Sequence, residues 1–238
     1  MKDKLCVALD VDDRRRAVEL VSTLRDAVGL FKVGSQLFTS EGPDLVREIQ
    51  AVGGRVFLDL KFHDIPNTVA RATEAAAKLG VFMLNVHASG GLAMLRAAVE
   101  ASRRGAGEAG LEPPLVLGVT VLTSLSEEEL KSELNVAVPV ETQVRHLAYL
   151  CQSAGLDGVI ASPQELLGIR AACGRDFLIV TPGIRPVGAE RGDQARITTP
   201  KEAIRMGADY IVVGRPIIAA ADPVQAAIEV VRDMSNTP

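Results

Sequence analysis

Short apolar segments alternate along the chain with longer stretches in which apolar residues recur every three or four positions. Leu5 to Asp10 reads as the first strand, with Leu5, Val7 and Leu9 on one face and Cys6, Ala8 and Asp10 on the other. Asp12 or Asp13 is placed to cap a helix reaching about Ala27, where Ala17, Leu20, Val21 and Leu24 hold helical spacing. Leu30 to Val33 is a second strand carrying Lys32, and a helix is expected around Asp44 to Val52. Arg55 to Lys61 is the third strand, with Phe57, Asp59 and Lys61 on one face and Val56, Leu58 and Leu60 on the other. Its helix opens near Pro66, carries Val69, Ala72, Ala76 and Leu79, and stops at Gly80.

Val81 to His87 is the fourth strand, followed by Ser89-Gly90-Gly91 and an alanine-rich helix to about Arg103. Arg104 to Glu112, with three glycines, reads as a loop. Leu115 to Val121 is strand five, Ser126 to Leu130 a short capped helix, and Glu141 to Ala154 the main helix of that unit. Gly158 to Ala161, Phe177 to Thr181 and Tyr210 to Val213 complete the strands, Pro163 opens the sixth helix, and Pro223 to Met234 is the last helix. Strands apolar on both faces belong to a parallel sheet covered by helices. Eight such units in 238 residues fit the α/β class as a single closed (β/α)8 barrel spanning 1–238. An open dinucleotide-binding sheet is disfavoured, because no Gly-x-Gly-x-x-Gly turn follows the first strand.

Composition narrows the function. A 47% hydrophobic content supports a large core, while a net charge of −4 without a Lys/Arg tract argues against nucleic acid or membrane surface as the main partner. Cys6, Cys151 and Cys173 have neither the pairing nor the spacing of a disulfide framework or zinc site and read as buried small side chains. The opening Met-Lys-Asp-Lys lacks the flanks of a signal peptide, and no apolar run is long enough for a bilayer, so the expectation is a cytoplasmic protein.

The chemistry collects at strand ends, where barrels build their active face. Asp10, Lys32, Asp59 with Lys61, His87, Thr120 with Thr123 beyond, and Thr181-Pro182 all fall there. Asp59, Lys61 and Asp64 lie within six residues, and charges on an inward face are costly unless they pair or perform chemistry. Pro182-Gly183-Ile184-Arg185 and Val213-Gly214-Arg215 follow strands seven and eight, where glycine N–H groups and arginine suit a phosphate. The loop at about 183–197, with Arg185, Arg191, Gln194 and Arg196, reads as a lid over an anion. On spacing alone Asp64 fits an N-cap as well as a catalytic role, and Asp10 with Lys32 fits a plain salt bridge. His63 and His87 fit structural hydrogen bonds better than metal ligation.

Asp59-x-Lys61-x-x-Asp64-Ile65-Pro66-Asn67-Thr68, together with Asp10, Lys32, Pro182-Gly183-Ile184-Arg185 and Val213-Gly214-Arg215, resembles the bacterial orotidine 5'-phosphate decarboxylases over essentially the whole chain. The resemblance implies decarboxylation of orotidine 5'-monophosphate to uridine 5'-monophosphate in pyrimidine biosynthesis, with no cofactor and no metal. It gives Asp10 and Lys32 the ribose hydroxyls and a charge array with Asp59 and Lys61, with Lys61 as proton donor. It sends Asp64 and Thr68, with Ile65 between them, into the neighbouring active site of a homodimer. Thr123 falls near the pyrimidine, and Gln194, Gly214 and Arg215, with Pro182 and Arg185 from the lid region, form the phosphate grip. The alternative is a magnesium-dependent sugar-phosphate decarboxylase or aldolase of the same superfamily, which the resemblance would supply with a second-strand carboxylate where this chain has Lys32.

Overall fold

The computed structural model describes residues 1–186 and 198–235. Eight parallel strands follow one another around a closed barrel, and the last pairs back onto the first. They are β1 (Leu5–Ala8), β2 (Leu30–Gly34), β3 (Val56–Phe62), β4 (Met83–His87), β5 (Leu115–Val119), β6 (Gly158–Ile160), β7 (Leu178–Thr181) and β8 (Tyr210–Val213). The helices between them are α1 (Arg14–Leu24), α2 (Ser35–Glu41), α3 (Pro43–Ala51), α4 (Pro66–Ala77), α5 (Gly91–Glu108), α6 (Glu127–Ser132), α7 (Val140–Ala154), α8 (Leu166–Cys173), α9 (Pro200–Arg205), α10 (Arg215–Ile218) and α11 (Pro223–Ser235).

Strand alternation sorts the apolar residues into two cores. Cys6, Ala8, Leu30, Phe57, Met83, Leu117, Val180 and Val212 fill the barrel interior. Leu5, Val7, Val33, Leu58, Leu84 and Val86 face the helices in the outer layer. These are the faces expected for β1 and for β3 up to Asp59. Beyond Asp59 the period breaks: the β3–β4 register shifts between Leu58 and Phe62, and Lys61 takes a left-handed φ of 52°.

Three local expectations are corrected. The helix expected around Asp44 to Val52 is preceded by a further one, α2, and Gly42 with a φ of 72° makes the turn into α3. The glycines from Gly105 do not begin a loop, because α5 runs on to Glu108. Gly105 is instead a packing residue, since a Cβ there would lie 2.7 Å from the Glu74 carbonyl oxygen of α4. Asp64 does not cap α4, whose N-cap is Ile65 with Pro66 in the first turn; the Asp64 Oδ1 accepts the Ile65 N–H at 2.6 Å.

Other signals hold as read. Asp13 caps α1 by accepting the Arg16 N–H at 2.9 Å, and Ser126 with Glu129 forms a capping box on α6. The three cysteines are buried and free, and burial pushes the Cys151 thiol up to about 12. Among the described residues no helix is long and apolar enough to cross a membrane.

Candidate active site

Four charged side chains from the first three strands meet at the carboxyl end of the barrel. Lys32, pointing inward from β2, places Nζ 3.4 Å from Asp10 Oδ1 and 3.3 Å from Asp59 Oδ2. The other oxygen, Asp59 Oδ1, lies 2.6 Å from Lys61 Nζ. The result is a chain of alternating sign, Asp10, Lys32, Asp59, Lys61, running from exposed Asp10 to Asp59, which is only 7% exposed.

The electrostatics follow from burial and pairing. Burial alone would push the Asp59 carboxyl up, but Lys32, Lys61 and hydrogen bonds from Lys61 and Asn85 outweigh it and hold the group below the usual carboxylate range. Burial likewise pulls the Lys32 ammonium down, and Asp59 and Asp10 more than reverse this, so its pKa is raised. Each buried charge is therefore kept ionised by its neighbours.

Asn85 on β4 was not among the residues singled out from the sequence. It is fully buried, donates from Nδ2 to Asp59 Oδ1 at 2.6 Å, and accepts the Lys61 N–H on Oδ1 at 2.8 Å. The available signal was a carboxamide at an inward position in the middle of β4, flanked by apolar Leu84 and Val86.

Lys32, Asp59 and Lys61 form the common wall of two cavity lobes. One, of about 220 Å³, is lined also by Thr123 and Pro182 together with apolar Val119, Val121 and Ile160. The other, of about 210 Å³, is lined by Asp10, Gly34, Ser35 and Gln36. By its lining, a partly apolar group suits the first lobe and a polar one suits the second.

Gly214 leaves β8 against Asp10, where a Cβ would stand 3.3 Å from Asp10 Oδ2, and α10 starts directly with Arg215. Arg185 is 7% exposed and donates to the Ile184 carbonyl at 3.0 Å. Burial and the like charge of Arg215 lower its pKa, so an anion at this end of the barrel would relieve both arginines. The segments flanking 187–197 are joined by the Ile184–Thr198 bridge and by the Arg185 N–H on the Thr198 carbonyl at 3.1 Å. Gln194, Arg191, Arg196 and most of the expected lid lie outside the described residues.

The remaining expected residues are elsewhere. Asp64, Ile65 and Thr68 are exposed on the turn after β3 and the first turn of α4, line neither lobe, and among the described residues Asp64 makes no ion pair with Lys61. Thr120 is buried with its hydroxyl on the Ile160 carbonyl at 3.0 Å, and Thr181, on the alternate face from inward Val180, is fully buried. Neither belongs to the charged rim. His87 lies against His63 with the rings tilted by 37° and their centroids 5.3 Å apart, beside a separate cavity of about 390 Å³.

Comparison with known proteins gives a consistent result. The family model described as "Orotidine 5'-phosphate decarboxylase / HUMPS family" matches residues 3–230. The orotidine 5'-phosphate decarboxylase of Syntrophotalea carbinolica is 58% identical, covering 98% of this chain and 96% of its own. That of Moorella thermoacetica is 56% identical, covering 95% and 90%. A solved orotidine 5'-phosphate decarboxylase from Lactobacillus acidophilus superposes with a TM-score of 0.86 at 41% identity, covering 96% of this chain and 97% of that one. With a family match over nearly its full length and relatives above half identity, the chain belongs to the orotidine 5'-phosphate decarboxylase / HUMPS family.

Proposed function

We propose that this protein decarboxylates orotidine 5'-monophosphate to uridine 5'-monophosphate, as the names of its relatives indicate, with Lys61 as the proton donor. The observation that carries this reading is the alternating array in which Asp59 Oδ1 holds Lys61 Nζ at 2.6 Å on the wall of a lobe lined partly by apolar side chains. In the reaction the C6–carboxylate bond breaks, carbon dioxide leaves, and the electron pair remains on C6. No neighbouring carbonyl delocalises that pair, so a fixed positive group is needed where the charge develops. The Lys61 ammonium supplies that field and then gives its proton to C6, to be reprotonated from solvent. Asp59, held ionised beside the departing carboxylate, opposes the bound ground state more than the transition state.

In this reading Asp10 and Lys32 take the ribose hydroxyls from the second lobe, and Thr123 and Pro182 border the pyrimidine. Gly214, Arg215 and Arg185, with Gln194, hold the phosphate. Phosphate binding at that distance contributes to assembling the site around the reacting carbon. Asp64 and Thr68 act in the active site of a second copy, consistent with their exposure and with apolar Ile65 (67% exposed) and Leu122 (39%) on the same rim. The metal-dependent sugar-phosphate reading is disfavoured by Lys32, whose ammonium beside Asp59 would repel a divalent cation.

The test is ultraviolet absorbance of orotidine 5'-monophosphate mixed with the purified protein, with and without a strong chelator. Conversion to the spectrum of uridine 5'-monophosphate in both samples is expected. An unchanged spectrum with folded protein refutes the decarboxylase, and loss of conversion on chelation refutes the metal-free route.

A further inference from the structure

We infer that Asn85 is a positioning residue for this reaction, its single carboxamide fixing the Asp59 carboxylate and the Lys61 backbone together. The inference rests on the decarboxylase reading above. The Lys61 N–H can only donate and the ionised Asp59 can only accept, so one orientation of the amide satisfies both: Oδ1 toward Lys61, Nδ2 toward Asp59. Asn85 is fully buried and lines neither lobe, so it acts through its two neighbours and not on the substrate.

Both contacts fall where the barrel departs from regular geometry. Lys61 has a φ of 52° inside the β3–β4 register shift, a conformation that a lysine rarely adopts without support. The Asn85 Oδ1 gives the Lys61 N–H a partner at that bulge in place of a regular strand neighbour. On the carboxylate, Nδ2 and Lys61 Nζ both approach Oδ1 at 2.6 Å, which leaves Oδ2 to Lys32. Asn85 thus sets which oxygen faces which lysine and where the Lys61 side chain departs from the barrel wall.

The experiment compares wild type, Asn85→Leu and Asn85→Asp with orotidine 5'-monophosphate, measuring kcat and KM across pH, the dissociation constant of uridine 5'-monophosphate, and thermal melting. For Asn85→Leu, kcat is expected to fall about 100-fold from misplacement of Lys61, while KM and product affinity stay within about threefold. The acid limb of kcat should also move to higher pH, because Asp59 loses a donor. Asn85→Asp preserves size and the acceptor toward Lys61; its protonated carboxyl can also donate to Asp59, so its activity relative to wild type should recover as pH falls. Should Asn85→Leu fail to fold, that recovery decides alone. Equal kcat in the leucine variant, or an aspartate variant that tracks wild type at every pH, overturns the inference. A wild-type protein that leaves orotidine 5'-monophosphate unchanged overturns the functional reading and this inference with it.

Discussion

Lys32 Nζ lies 3.3 Å from Asp59 Oδ2, with both side chains largely withdrawn from water. Each is the reason the other can stay charged. Asp59→Ala would leave the Lys32 ammonium with exposed Asp10 as its one carboxylate partner among the described residues. A loss of about 3–5 kcal/mol is expected from breaking such a buried pair, measured as a lower urea midpoint. The sign with pH follows from the two shifts. Asp59, lowered in the folded state, contributes stability above its unfolded pKa of about 4 that is lost as pH falls through its folded value. Lys32, raised in the folded state, contributes stability below its unfolded pKa of about 10 that is lost as pH rises through its folded value. Both contributions are whole between those limits, and the Asp59→Ala variant should lose the part of the acid-end dependence that Asp59 supplies, while Glu74, Glu129 and Glu202, also lowered, keep theirs.

His87 carries a second pH dependence. Burial, His63 and Lys61 lower its pKa, with Asp59 acting the other way. A depressed histidine contributes stability above its unfolded pKa of about 6.5 and loses it as pH falls toward the folded value. Melting temperature should therefore decline between about pH 7 and pH 5, and His87→Gln should flatten that decline. An unchanged slope in the variant would assign it to other groups.

The barrel was legible in the sequence because eight short strands, apolar on both faces, take turns with stretches of helical spacing. Cys6, Ala8 and Asp10 on one face, and Phe57 with Asp59, follow period two, while Lys32 was legible only as a charge on its strand and the structure turns it inward beside Asp10 and Asp59. What escaped is where local signals have a tertiary cause. The left-handed Lys61 depends on pairing with β4, which a single strand's pattern does not contain, and Asn85 acquires its role from that same pairing. Gly105 resembled a loop residue because the partner that requires its small size, the Glu74 backbone, is 31 positions away in the chain. Asp64 before Pro66 had the composition of a helix cap, yet its oxygen turns to the Ile65 N–H and Ile65 takes the cap position.

Two glycines of α5 should respond in opposite directions to the same change. Gly105→Ala puts a methyl 2.7 Å from the Glu74 carbonyl oxygen, and about 1–3 kcal/mol of destabilisation is expected from the forced separation of α4 and α5. Gly107→Ala meets nothing within 4 Å among the described residues and should gain up to about 1 kcal/mol from helix propensity. Chemical denaturation of the two variants checks the pair.

The proposed phosphate grip is testable without turnover. Arg185 and Arg215 repel one another, so inorganic phosphate should raise the melting temperature of the wild type. In Arg215→Ala that rise should largely vanish, and the affinity for uridine 5'-monophosphate should weaken about 100-fold, the loss of a charge-assisted contact of about 3 kcal/mol. Scanning calorimetry reads the first and titration calorimetry the second.

The role of Lys61 is decided most directly by comparing uridine 5'-monophosphate formation in wild type and Lys61→Ala at equal protein concentration, with folding checked by melting and site integrity by product binding. The ammonium at 2.6 Å from Asp59 is the group assigned to the proton, so the variant should bind product yet lose at least about 1000-fold in turnover. A folded Lys61→Ala protein with near-parental turnover would contradict that assignment.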